Sequence, residues 1–339
     1  MKRLDKRGGA ACFVPALVLL CGSATAQEKT EVRLEEVNIR APRIITPLPG
    51  VSMEREQTTV NVQSATDADL RNQQSINIAD YLNTQGQSIT VNDYAGNPFQ
   101  QDISFRGFSA SPLVGTPQGL SVYLDGVRVN EPFGEVVNWD LIPTLAISRT
   151  DLIPGSNPLF GLNTLGGALS LQTKSGFTSE RFEATRTQGS WGRSQNQLAV
   201  GGNNGTLAGF VALSEFREDG WRNNSPSQVN QYFGRIDARI GASEWTASLL
   251  KVDNRLTGNG LVPYEEWQIR PQSVFTSPDT TDNDLTHVNL RARFDVSDRD
   301  SVSVGVYQRK LTQRSVGGDF WDDFDRLSYG RLDDCPLSY

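Results

Sequence analysis

Beyond residue 176, apolar and polar positions alternate one for one. Along Leu285 to Val296, Val288, Leu290, Ala292, Phe294 and Val296 fall on one face and His287, Asn289, Arg291, Arg293 and Asp295 on the other. A period of two marks a strand with unlike faces. Tyr232 to Ile240 repeats it, with Gly234, Ile236, Ala238 and Ile240 opposed to Arg235, Asp237 and Arg239. Weaker alternation predicts strands over Arg181 to Gly189, Ser194 to Gly202, Thr206 to Arg217, Glu244 to Arg255 and Ser301 to Gln313, about seven in all. An apolar face for lipid and a charged face for a wet lumen fit membrane-spanning strands of about ten residues. The connections alternate too. Asn203 to Gly205, Gly241 to Ser243 and Ser297 to Asp300 are short, whereas Glu218 to Ser227 and Leu256 to Asn283 are long. Short turns at one end and long loops at the other are the layout of an outer-membrane barrel. A soluble antiparallel sandwich also alternates, but charges repeated along one face fit its dry core less well.

Residues 58–176 have a different texture, that of a compact α+β unit. Strands are predicted over Thr58 to Val62, Ser88 to Asn92, Leu120 to Leu124, Ile147 to Ile153 and Ala168 to Thr173, and a helix over Ser75 to Thr84, where Ile78 and Leu82 stand four apart. Asp125-Gly126 between two apolar pairs is a hairpin signal. The run GLNTLGG, Gly161 to Gly167, imitates a phosphate loop, but Ala168 and Leu169 stand where Lys and Ser or Thr are needed, so phosphate binding is rejected.

Met1 to Ala26 has a basic start, a short apolar core and a small-x-small end, the pattern of a cleaved secretory signal peptide. No stretch reaches the ~20 apolar residues of a transmembrane helix. Removing the signal takes away four basic residues and one acidic, moving the net charge from −7 to −10, and an acidic exported chain is a poor nucleic-acid binder. Residues 27–57 are charged and punctuated by Pro42, Pro47 and Pro49, which reads as an extended flexible segment. One histidine, His287, and one mature cysteine, Cys335, cannot build a zinc site or a His-based triad. Neither enzymatic activity nor a cofactor or metal is expected.

In order along the chain, LEEVNIRA (Leu34 to Ala41), ISFRGF (Ile103 to Phe108), VYLDGV (Val122 to Val127) and ISRTDLIPGSNPLFG followed by GGALSLQTKSG (Ile147 to Gly176) resemble the TonB-dependent receptor family of Gram-negative outer membranes. Pro154 and Ser156, and Thr150-Asp151-Leu152, depart from the commoner family residues. The resemblance implies a signal peptide over 1–26, a TonB-box segment over 27–57, an α+β plug domain over 58–176, and the N-terminal part of an antiparallel transmembrane β-barrel over 177–339. It implies energy-coupled uptake of a scarce substrate such as a ferric siderophore, with TonB and outer-membrane lipid as partners. Glu35, Glu36, Val37, Asn38 and Ile39 would be the TonB box, an extended strip able to add a strand to a partner's sheet edge. Arg106 and Arg149 would lock the plug to carboxylates on the barrel wall. Tyr94, Asn97, Phe99 and Phe133, on polar-aromatic apical segments, would contact substrate. The acidic aromatic run Asp319 to Asp325 reads as a solvated barrel loop.

Family barrels have about 22 strands. Seven cannot close around a plug, and an open edge in lipid leaves backbone groups unpaired. A truncated or frameshifted gene product is therefore expected. An outer-membrane channel or surface receptor without TonB coupling, and a secreted soluble β-sandwich binding protein, are the competing readings.

Overall fold

The computed structural model describes residues 44–48, 51–54, 58–179, 182–297 and 300–318. The leader, Glu35 to Ile39 and the acidic aromatic run lie outside them. Strands β1 (Ile44–Leu48) and β2 (Val51–Glu54) pair antiparallel, inside the stretch expected to be extended and flexible. Ile44, Ile45 and Val51 favour extension. The register shifts between Ile45 and Leu48, across Pro47, which has no N–H to give the ladder.

In the α+β unit the strand expected over 58–62 does not form there; the strand lies five residues later, as β3 (Gln63–Thr66). Thr66 decides this. Its hydroxyl accepts from the Asp69 N–H at 3.4 Å, and the Asp69 carboxylate accepts from the Thr66 N–H at 2.8 Å. That reciprocal cap starts helix α1 (Asp67–Gln73) and ends the strand. Helix α2 (Ile78–Gln85) begins where Asn77 accepts from the Asp80 N–H at 2.9 Å. Next come β4 (Ile89–Asn92), β5 (Asp102–Phe105) and β6 (Phe108–Ala110), an antiparallel sheet of three. Strands β7 (Leu120–Leu124) and β8 (Val127–Arg128) are joined by Asp125 at φ +48° and Gly126 at φ +80°, the two-residue turn the sequence asks for.

Strands β9 (Ile147–Pro154) and β10 (Gly167–Thr173) complete a five-stranded sheet of order β3-β9-β10-β7-β8, with β10 and β7 parallel. Gly167 sits at φ +153°, and a Cβ there would lie 2.4 Å from the Ile153 carbonyl oxygen. The glycine-dense run thus lets two strands approach closely.

Seven further strands form an antiparallel sheet in sequence order: β11 (Phe182–Gln188), β12 (Ser194–Asn203), β13 (Leu207–Glu218), β14 (Ser227–Ile240), β15 (Ser243–Thr257), β16 (Thr280–Asp295) and β17 (Ser301–Val316). Helix α3 (Tyr264–Ile269) lies within the long connection before β16. The inner face carries buried Ser248, Leu250, Val252, Asn254 and Leu256, alternating with outward Leu249, Lys251, Asp253 and Arg255 on the same strand. Strands β14 and β16 begin five residues before the apolar alternation does. The added length of this end of the sheet is polar, paired on the outer face by Arg255 and Asp282 at 2.8 Å, so a search for apolar periodicity sees only part of each strand.

The outward residues form rows across the sheet. Gly209, Ile236, Ala247, Leu290 and Val306 make one row, and Val211, Gly234, Leu249, Val288 and Gln308 the next. Apolar rows continue from Ile240 at the short-turn end up to Leu213 and Tyr232. At ~3.4 Å per residue that band is about 27 Å along the strands, or about 20 Å for strands tilted by ~40°. Beyond it the rows turn charged. On the inner side one apolar cluster joins Leu120, Val122, Leu171 and Trp139 of the α+β unit to Phe210, Phe233, Leu250 and Leu285 of the wall.

Candidate functional site where the α+β unit meets the wall

Three acidic residues of the α+β unit face the inner wall. Asp125, held in its turn, accepts from the Thr173 N–H at 3.0 Å and hydroxyl at 2.6 Å. Arg291 of β16 donates to the Asp125 carbonyl at 3.0 Å, and Arg235 of β14 stands 4.0 Å from its carboxylate. Arg235 also donates to Thr173 Oγ1 at 2.9 Å and pairs with Asp237 at 2.8 Å, and Asp237 accepts from Ser175 at 2.7 Å. Glu131 pairs with Arg309 of β17 at 2.5 Å.

Asp140 is the most enclosed of the three. Its Oδ2 accepts from Asn254 and Asn283 of the wall, both at 2.8 Å, and its carbonyl from Gln231 at 2.6 Å. Burial raises its carboxyl above the usual range, more strongly than these two amides lower it.

At the long-loop end, Asn97 donates to Ser227 Oγ at 2.8 Å and to the Thr257 carbonyl at 2.9 Å. Phe99 meets Phe216 edge-on, ring centres 4.9 Å apart, over Val229 and Leu256. Beside them Arg222 ties two long loops together, donating to Gly260 O at 2.6 Å and Ser273 O at 2.8 Å. Burial lowers the Arg222 pKa and raises that of neighbouring Asp93, while their mutual attraction opposes both shifts.

The residues expected to lock the unit or meet substrate have the following neighbours. Arg149 pairs at 2.7 Å with Asp151 on its own strand, inside the α+β unit. Arg106 occupies the β5–β6 turn at φ +52°, which holds it in solvent, 5.0 Å from its neighbour Phe105; no described carboxylate pairs with it. Where enclosed charges meet across the junction, Asp125 and Glu131 lie on the α+β unit and Arg235, Arg291 and Arg309 on the wall. Asn97 and Phe99 are 1% and 3% exposed and packed on the wall, where they anchor the apical segment. Tyr94 and Phe133 are exposed, Phe133 at 76%. Asp125 announced its turn in the sequence, but partners 110 and 166 residues away leave no local signal.

The model described as TonB-dependent Receptor Plug Domain matches residues 54–168, about a third of the chain. Residues 54–168 are a TonB-dependent receptor plug domain. A search of curated proteins finds no match. Among solved structures, BauA, the ferric preacinetobactin receptor from Acinetobacter baumannii, is 16% identical with a TM-score of 0.62, over 78% of this chain and 40% of its own. FyuA, the ferric yersiniabactin uptake receptor from Yersinia pestis, is 15% identical with a TM-score of 0.62, over 78% and 42%. The ferric citrate transporter FecA is 12% identical with a TM-score of 0.64, over 76% and 40%. These likenesses concern the fold: a plug followed by antiparallel wall strands. The chain spans about 40% of the length of these receptors.

Proposed function

We propose that this chain is the plug and first wall strands of an outer-membrane receptor that takes up a ferric siderophore or similar chelate, powered through TonB. The observation that carries the reading is the docking of the plug on the inner face of an alternating wall by Asp125, Glu131 and Asp140. A plug held by many polar contacts blocks a pore and yet can be released, because each contact can be exchanged for water. Ferric ligands are suggested by the receptors for ferric preacinetobactin, ferric yersiniabactin and ferric citrate. Residues 1–26 would direct export, residues 27–57 would present Glu35 to Ile39 to TonB, and 58–176 and 177–339 would be plug and wall. Tyr94 and Phe133 are the apical side chains free to meet substrate. Deleting residues 34–41 from the receptor should abolish uptake of a labelled ferric siderophore while leaving binding to whole cells intact. Undiminished uptake would favour a channel without TonB coupling.

A further inference from the structure

The three acidic residues that face the wall are met by different chemistry. Asp125 has Arg235 and Arg291 within 4.0 Å and Glu131 has Arg309 at 2.5 Å, whereas Asp140 forms no salt bridge among the described residues. Strand β14 sends Gln231 to the Asp140 carbonyl, and β15 and β16 send Asn254 and Asn283 to its Oδ2. The charges on the inner faces of these strands are engaged elsewhere: Arg235 with Asp237 on β14, Arg291 with Asp125, and Arg309 with Glu131. His287 stands opposite Arg309 in the ladder. Arg309 still draws on Asp140, but less than the two amides do. At 1% exposure, a bare carboxylate here would give up its water for neutral donors alone.

One atom in this cage lacks a partner. Among the described residues Asn283 Oδ1 is buried and accepts no hydrogen bond, although Nδ2 of the same amide lies 2.8 Å from Asp140 Oδ2. A neutral carboxyl accepts at one oxygen and donates from the other, the complement of a primary amide. An ionised Asp140 has no proton to offer Asn283 Oδ1; a neutral one carries the donor that the amide lacks.

We propose that the cage around Asp140 is a proton-binding site between plug and wall, filled while the plug is docked and emptied when it leaves. On release the carboxyl meets water and gives its O–H proton to solvent, leaving a carboxylate; docking takes the proton back. Burial raises the docked carboxyl's pKa, and this sets the sign. Docking is strongest below the free value of about 3.9 and weakens as pH rises through the docked one. The proton site rests on the docked geometry alone, and its part in opening the pore rests on the proposed function.

The test uses the full chain folded in detergent at about pH 5, where an ordinary Asp is about nine-tenths ionised. Its infrared spectrum should contain the C=O band of a neutral carboxyl, and Asp140→Asn should remove that band. Absence of any neutral-carboxyl band from the natural protein overturns the proposal even if the variant fails to fold. A band that Asp140→Asn retains in full overturns it too. In urea, the plug-release constant of the natural protein relative to the variant should rise up to tenfold per pH unit above about pH 4, as one proton is given up. A ratio that stays constant from about pH 4 to about pH 7 overturns the link between proton and release. Uptake that survives deletion of residues 34–41 would instead overturn the proposed function and leave the proton site standing.

Discussion

The plug meets the wall along two unlike stretches. Against β14 to β17 it is held by Asp125, Glu131 and Asp140, with Arg235, Arg291 and Arg309 or side-chain amides opposite. Against β11 and β12, α1 offers Arg71, which stands 3.9 Å from Glu183, and cavities of about 150 and 290 Å³ lie alongside. The first stretch is dense with enclosed charge, the second is loosely packed and half-exposed. Enclosed charge fixes geometry because leaving one partner alone is expensive, whereas a half-exposed pair is worth little. Among the described strands the enclosed polar contacts fall on β14 to β17, and α1 is the element with open space beside it.

The largest effect should come from Arg235, which touches plug and wall at once. Arg235→Met leaves Asp237 without its cation and Asp125 with Arg291 alone. Breaking a buried pair costs about 3–5 kcal/mol, and the 13% exposure of this side chain lowers that to roughly 2–4. A urea titration of the folded protein should find plug release at a lower midpoint, with its extrapolated free energy reduced by that amount. An unchanged midpoint would erase the contrast between the two stretches.

Asp140 sharpens the comparison through pH. Its folded pKa is raised, burial outweighing the Asn254 and Asn283 amides, so its carboxyl favours the folded state most when protonated. The contribution is complete below the unfolded value of about 3.9 and is lost as pH rises through the raised folded value. Asp140→Asn removes that titration. The stability of the natural protein relative to this variant should therefore fall as pH rises from about 4. A difference that stays level across that range would mean that the wall amides, not burial, set the carboxyl's state.

Much of the wall is legible in the sequence because alternation is a local signal and its two faces meet unlike surroundings. The Asp125-Gly126 turn is legible for the same reason, since its geometry depends on the residues themselves. Thr66 and Asp69 also carry a readable capping pattern that fixes α1, although apolar content alone puts the strand before it too early. The fastening is not legible. Asn97 bonds to residues 130 and 160 positions away, and a loop asparagine looks alike whether it meets a ligand or a wall. Arg106 and Arg149 carry the charge a lock calls for, but a positive-φ turn aims one outward and Asp151, two residues on, claims the other.

The smallest effect should come from the loose side. Arg71 pairs with Asp67 one turn earlier on α1, and both are about a third exposed, so the attraction is screened by water. Arg71→Ala should change plug release by less than about 0.5 kcal/mol. Because open, largely polar space already lies beside α1, the shortened side chain creates no enclosed apolar void. A loss comparable to that of Arg235→Met would make Glu183 a true fastening point and the plug evenly held; a negligible one leaves α1 as the edge from which release can begin.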